Sequence, residues 1–136
     1  MKEKVILVDF DGTCVTDEYP NINQFVDTGA AKVLKLLTDY GHKLILYTMR
    51  SGKQLKDAEK WFYDRDIPLW DVNNNPEQFK WTSSRKVHGD ICIDDRNLGT
   101  PMTSAGYVDW EKVSRILQEK GYFGNLGFQD YLENRI

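Results

Sequence analysis

At 136 residues, with 40% hydrophobic and 29% charged residues and a formal net charge of -3, the chain has the size and balance of one globular domain, residues 1–136, with no linker. A domain of about 150 residues buries roughly 68–70% of its unfolded surface, enough for a core of its own. Slight acidity argues against non-specific nucleic-acid binding, no apolar run approaches the roughly 20 residues of a membrane span, and no signal-peptide core follows Lys2, so a cytoplasmic protein is expected.

The first element is the run KVILVD, whose four aliphatic residues do not alternate and stop at Asp9 and Asp11. Such a run reads as a strand buried on both faces. FDGTCVTDEYPNIN then has loop chemistry, with room for a small hairpin, and Tyr19 and Pro20 are placed to shape a flap. From Phe25 to Tyr40, Val26, Ala30, Val33, Leu34, Leu36 and Leu37 fit a helical stripe closed by Gly41. The second strand is KLILYT. Ser51 to Asp64 predicts a helix, with Ser51 as its N-cap and Leu55, Ala58, Trp61 and Phe62 on one face.

IPLWDVNNNP predicts a short strand and a turn, with a short helix starting near Pro76. DICIDD is the next strand, and a last strand around Tyr107 leads into a helix from Asp109 to Lys120. Strands alternating with helices, the strands continuously apolar, argue for an α/β three-layer sandwich around a parallel sheet. Trp61, Trp70, Trp81 and Trp110 are expected in the core or at an interface. Cys14 and Cys92 lack zinc-site spacing and fit a reducing compartment, and His42 and His88 are isolated enough to be structural or surface residues.

Three of the strands run into polar groups: Asp9 and Asp11, Thr48, and Asp94 with Asp95. Ligands of open parallel sheets bind outside the carboxyl ends of the strands, so these residues are expected to meet in one crevice. Asp9 and Asp11, two apart, would share a side. Four carboxylates in one crevice repel unless a cation is present, and an oxygen-only set suits Mg²⁺. Gly12 lets the chain turn sharply past the pair, and Thr48 precedes a helix N-terminus that favours an anion such as phosphate.

These segments, DFDGT at Asp9 to Thr13, a hydrophobic strand ending in Thr48, a lysine, and IDD at Asp94 and Asp95, resemble the haloacid dehalogenase superfamily of aspartate-nucleophile phosphotransferases. The resemblance is to small bacterial and phage members, and it spans the chain from the first strand to DICIDD. It implies that Asp9 is the nucleophile and Asp11 the general acid and base, an aspartate there fitting a phosphatase rather than an ATPase. It also implies that Thr48 binds the transferring phosphoryl group, and that Asp9, the Asp11 backbone carbonyl and Asp94 hold Mg²⁺, with Asp95 ligating directly or through water. The phosphate-neutralising lysine is Lys86 in preference to Lys80, because Lys86 closely precedes the DICIDD strand. Gly12, Thr13, Met49 and Arg50 flank the motifs and are expected to bind substrate, and Lys53 stands near them. Gly89 and Asp90 imitate the last motif but sit at the wrong end of their strand.

The first gap is a loop of about fifteen residues and the second holds ordinary fold elements, so no large cap is expected over the site. The expected reading is a capless Mg²⁺-dependent phosphomonoester hydrolase. Its substrate would be a phosphorylated small molecule, with a second copy covering the site, or a macromolecular phosphoester. Nucleotide or polynucleotide ends are the narrower alternative, through a basic edge of Arg50, Lys53, Arg85 and Lys86. A receiver-like signalling module and a non-catalytic binding protein are the rivals from other classes.

Overall fold

The computed structural model describes residues 2–16 and 25–124. Four parallel strands form one sheet in the order β3-β2-β1-β4: β1 (Val5–Val8), β2 (Lys43–Leu46), β3 (Asp71–Val72) and β4 (Ile91–Ile93). The central pair is in register from Val5 opposite Lys43 to Val8 opposite Leu46, and β4 pairs with β1 from Ile6 opposite Ile91 to Val8 opposite Ile93. The strands are short because each gives way to a polar residue where the chain leaves the sheet.

The helices are α1 (Ala30–Asp39), α2 (Gly52–Asp64) and α3 (Trp110–Glu119). One continuous core joins Ile6, Val8, Leu44 and Leu46 of the sheet to Leu34 and Leu37 of α1, Phe62 of α2 and Leu117 of α3. Side chains alternate along a strand, so Leu7 and Ile45, both buried, face the other way. The connection from β3 back to β4 runs opposite in direction to the two before it, and right-handed crossover places it on that second face. There a Cβ on Gly89 would stand 2.6 Å from Leu7 Cγ. The architecture is thus a three-layer α/β sandwich whose second outer layer is this crossover, carrying a single 3-10 turn, Gln78–Lys80. Among the described residues no cap stands over the sheet.

Several local expectations are corrected. Helix α1 starts at Ala30, not Phe25, because the residues before it lie extended beside the loop after β1: Thr16 N–H donates to the Val26 carbonyl, and Thr28 N–H to that of Cys14. Val26 is therefore exposed. Asp27 caps the helix start by accepting from the Gly29 and Ala31 N–H groups. Ser51 stands at the N-cap of α2 without making a side-chain capping bond. Around Tyr107 there is only an isolated antiparallel bridge, Met102 with Val108, because the segment from Thr103 to Tyr107 closes on itself as a turn. Trp61 and Trp110 are buried, whereas Trp81 is exposed. Tyr19 and Pro20 lie outside the described residues.

His42 is structural, as expected. The Lys4 N–H donates to its Nδ1, so the ring proton sits on Nε2 and is given to the Tyr122 carbonyl 2.8 Å away. Asp90 lies at the amino end of the sheet, where its carboxylate accepts from the Val5 N–H. It is at the opposite end of the sheet from Asp9 and Asp94, as its position before the apolar run implies.

Candidate active site

A cleft of about 530 Å³ opens at the carboxyl ends of the strands. Each strand delivers one polar residue to it: Asp9 directly after β1, Thr48 two residues beyond β2, Asn73 after β3 and Asp94 after β4. Asp11, Arg50, Asp95 and Arg96 complete its polar wall, with Met49 at the mouth, 95% exposed.

Asp9, Asp94 and Asp95 each present one carboxylate oxygen within 4.8 Å of the others. Burial, and then the charge of Asp94, push the Asp9 carboxyl up from 3.8 to about 7. Asp95 is raised too, first by burial. Three carboxyl groups packed so tightly that one resists ionisation are a set that a hard divalent cation would relieve, and their all-oxygen chemistry fits Mg²⁺.

The loop after β1 holds this group rigidly. The Phe10 carbonyl accepts from the Cys14 N–H at 2.8 Å, and Phe10 itself is buried edge-on against Phe25 and Trp61. Gly12, at φ +74°, passes so close to Asp95 that a Cβ would lie 2.5 Å from its Oδ2. Thr13 is fully buried, so it is not the substrate contact expected of it. Its hydroxyl donates to Asp9 Oδ2 at 3.0 Å and accepts from the Asp95 N–H at 3.0 Å, bracing the ends of β1 and β4 against each other. The Thr13 carbonyl is held from behind by the Thr28 hydroxyl and the Trp110 indole N–H. Cys14, buried beneath the loop with its thiol pushed well up by burial, has no exposed sulfur to react.

Asp11 shares the cleft with Asp9, as its spacing implies, but its carboxylate does not join the acidic trio. It is gripped in bidentate fashion by Arg50, with Nε to Oδ2 at 2.7 Å and Nη2 to Oδ1 at 2.6 Å. The Arg50 side chain is only 11% exposed, and its guanidinium lies 5.1 Å from the Phe10 ring centre and 5.2 Å from that of Phe25. The expected lysine is not in the cleft. Lys80 and Lys86 are both exposed on the crossover, and neither lines it. The reason is geometric: the crossover lies on the second face of the sheet and re-enters β4 at its amino end. Among the described residues the cations lining the cleft are Arg50 and Arg96.

Asn73 carries no signal of its own beyond following a strand. Held at φ +50°, it accepts from the Thr48 N–H through Oδ1 at 2.8 Å and donates through Nδ2 to the Thr48 carbonyl at 2.9 Å. The Thr48 hydroxyl in turn accepts from the Arg50 N–H. Asn73 thereby fixes the segment between β2 and α2.

Fold and site together define a small all-parallel α/β domain with an acidic and arginine-lined cleft at its strand ends. A solved structure of a conserved protein from Bacteroides thetaiotaomicron matches it with 35% identity and a TM-score of 0.69, over 88% of this chain and 93% of that one. The chain belongs to the same family as that protein. No protein-family model and no curated protein matches it. Among the described residues no helix is long and apolar enough to cross a membrane.

Proposed function

We propose that the protein is a Mg²⁺-dependent phosphomonoester hydrolase of the haloacid dehalogenase type, with Asp9 as nucleophile. The observation that carries this reading is the placement of Asp9: it joins Asp94 and Asp95 on one side of a cleft whose other side offers Thr48 and Arg50. A carboxylate at the floor of the cleft, an oxygen-only cation set and an arginine beside them are the parts that phosphoryl transfer through an acyl phosphate requires.

Asp9, Asp94 and Asp95 would hold the cation, which when bound offsets their charge and that of the phosphate oxygens. Asp9 attacks phosphorus, the bond to the ester oxygen breaks, and the departing oxygen takes a proton from Asp11. Water then attacks the phosphorus of the aspartyl phosphate, Asp11 takes its proton, and inorganic phosphate leaves with Asp9 restored. Overall, one phosphomonoester and one water give one alcohol and one phosphate.

Both oxygens of Asp11 accept from Arg50, so in the proposed steps that pair opens before Asp11 serves as general acid. A bound phosphoryl group offers Arg50 the same planar, bidentate geometry. Arg50 therefore takes the neutralising role expected of Lys86, and substrate binding frees Asp11 for its own. Thr48, positioned by Asn73, donates to the phosphoryl oxygens.

The test is phosphate release from an aryl phosphate, sugar phosphates and nucleotides, with and without Mg²⁺, beside Asp9→Asn. Turnover that needs Mg²⁺ and falls by about 10³-fold or more in the variant is expected, the scale of losing a covalent nucleophile. Activity retained in Asp9→Asn contradicts the assignment. Stable phosphorylation without turnover would favour the receiver-like alternative.

A further inference from the structure

Hydrolysis at Asp9 leaves the alcohol half of the substrate to be placed. A second groove, of about 510 Å³, opens on the crossover beside the cleft, and the two share Asn73. It is lined by amides and hydroxyls, including Asn74, Thr82 and Ser83, together with the Phe79 ring and the Arg85 guanidinium.

Two features set it apart from an ordinary loop surface. Phe79, which lines the groove, is 77% exposed; Trp81, two residues on, is 59% exposed and stands outside the lining with its ring against that of His88 at 5.6 Å. They are not on a slack loop. The buried Gln78, first residue of the 3-10 turn, donates its amide to the Ser84 and Lys86 carbonyls and accepts from the His88 N–H at 2.7 Å. The rings are thus displayed on a fixed base. Charge adds a second signal: residues 73–89 carry Lys80, Arg85 and Lys86 against Glu77 alone, a balance of +2, which leaves -5 on the rest of a chain whose net charge is -3.

We infer that this groove is the leaving-group subsite, and that it takes the terminal nucleotides of a single-stranded polynucleotide whose end phosphate occupies the cleft. The inference rests on the phosphomonoesterase reading. Exposed rings next to cations are how single strands are held without sequence preference: bases stack on the rings and phosphodiesters meet Lys and Arg. A mononucleotide or sugar phosphate has no second phosphate for Arg85. The overall acidity of the chain, which argues against non-specific binding to duplex, does not oppose a local basic edge that receives a strand end.

The experiment uses the full chain with a dye-labelled hexathymidylate bearing a 5′- or a 3′-phosphate, read by fluorescence anisotropy, with thymidine monophosphate as competitor. Phosphate release from an aryl phosphate is run in parallel. The hexamer should bind at least about tenfold tighter than the monophosphate, and Phe79→Ala should weaken it about tenfold, the scale of one lost stacking contact. Arg85→Ala should lower the slope of log affinity against log salt by about 0.7, one fewer phosphate neutralised on a single strand. Phe79 and Arg85 side chains lie outside the Gln78 hydrogen bonds, so both variants keep the turn. A hexamer bound no tighter than the monophosphate, or bound equally by both variants, overturns the inference even if the aryl phosphate turns over. Hexamer binding without turnover of any phosphate instead sinks the hydrolase reading and keeps the groove as a strand-binding site.

Discussion

In the proposed reaction Arg50 is asked to serve two anions, Asp11 and then the phosphoryl group. It pairs with Asp11 through two short bonds while its guanidinium lies 5.1 Å from the Phe10 ring centre and 5.2 Å from that of Phe25. Arg50→Lys keeps the charge but not the fork, and Arg50→Gln keeps neither. In the account above, Arg50→Lys lowers kcat by about 10²-fold, and Arg50→Gln lowers it further, with KM rising alongside. Steady-state kinetics on correctly folded variants checks this. If both variants only melt earlier while kcat of the folded protein is unchanged, Arg50 is a structural clip. The pairing was not legible in the sequence: Arg50 was visible as a basic residue after Thr48, but nothing in a linear motif says that Asp11 turns to it instead of to the other carboxylates. The inward-facing Thr13 hydroxyl was hidden for the same reason, since its partners Asp9 and Asp95 are 4 and 82 residues away.

At the scale of elements, the ends of β1 and β4 are held together at a cost in stability. Folding brings Asp9 into a buried position beside Asp94, and its carboxyl rises from 3.8 to about 7. Between those values the folded state holds a proton that the unfolded state has lost, so the stability of metal-free protein falls as pH rises from about 4 to 7 and levels off above. Thermal melts in a chelating buffer should show this fall. Asp9→Asn should remove most of it and melt several degrees higher than wild type at pH 8, and Mg²⁺ should raise the wild-type midpoint there by binding the folded form alone. A wild-type midpoint independent of pH over that range would mean that Asp9 is not strained by its neighbours. The strands that carry these residues were the legible part of the fold: VILV, LIL and ICI are continuous apolar runs that lead into polar groups, and all three lie in strands. Of the crossover, the turn and a short helix near Pro76 were legible, the latter standing as the 3-10 turn Gln78–Lys80. The order of the crossover comes from Asn75 and Gln78, polar residues buried by bonds to His88, Ser84 and Lys86 that no hydrophobic period records.

Over the whole molecule, one geometric fact organises the rest: four parallel strands turn their carboxyl ends to the same edge, so residues from Asp9 to Asp95 meet across most of the chain. The helices pack on one face, the crossover covers the other, and among the described residues no cap stands over the cleft. The same topology removes Lys86 from the site, because the chain must descend to the amino end of the sheet before β4 begins. Fold class, the carboxylates and Arg50 were therefore readable from runs and their endings, whereas the pairing of Arg50 with Asp11 had to be found in space. The central claim is that Asp9 becomes covalently phosphorylated. The direct measurement is borohydride reduction during Mg²⁺-supported turnover, followed by mass spectrometry of the peptide containing residues 5–32. An acyl phosphate at Asp9 is reduced to homoserine, and the account predicts homoserine at position 9, dependent on substrate and absent from Asp9→Asn. Homoserine at Asp11 or Asp94 instead, or turnover with position 9 unmodified throughout, would contradict it.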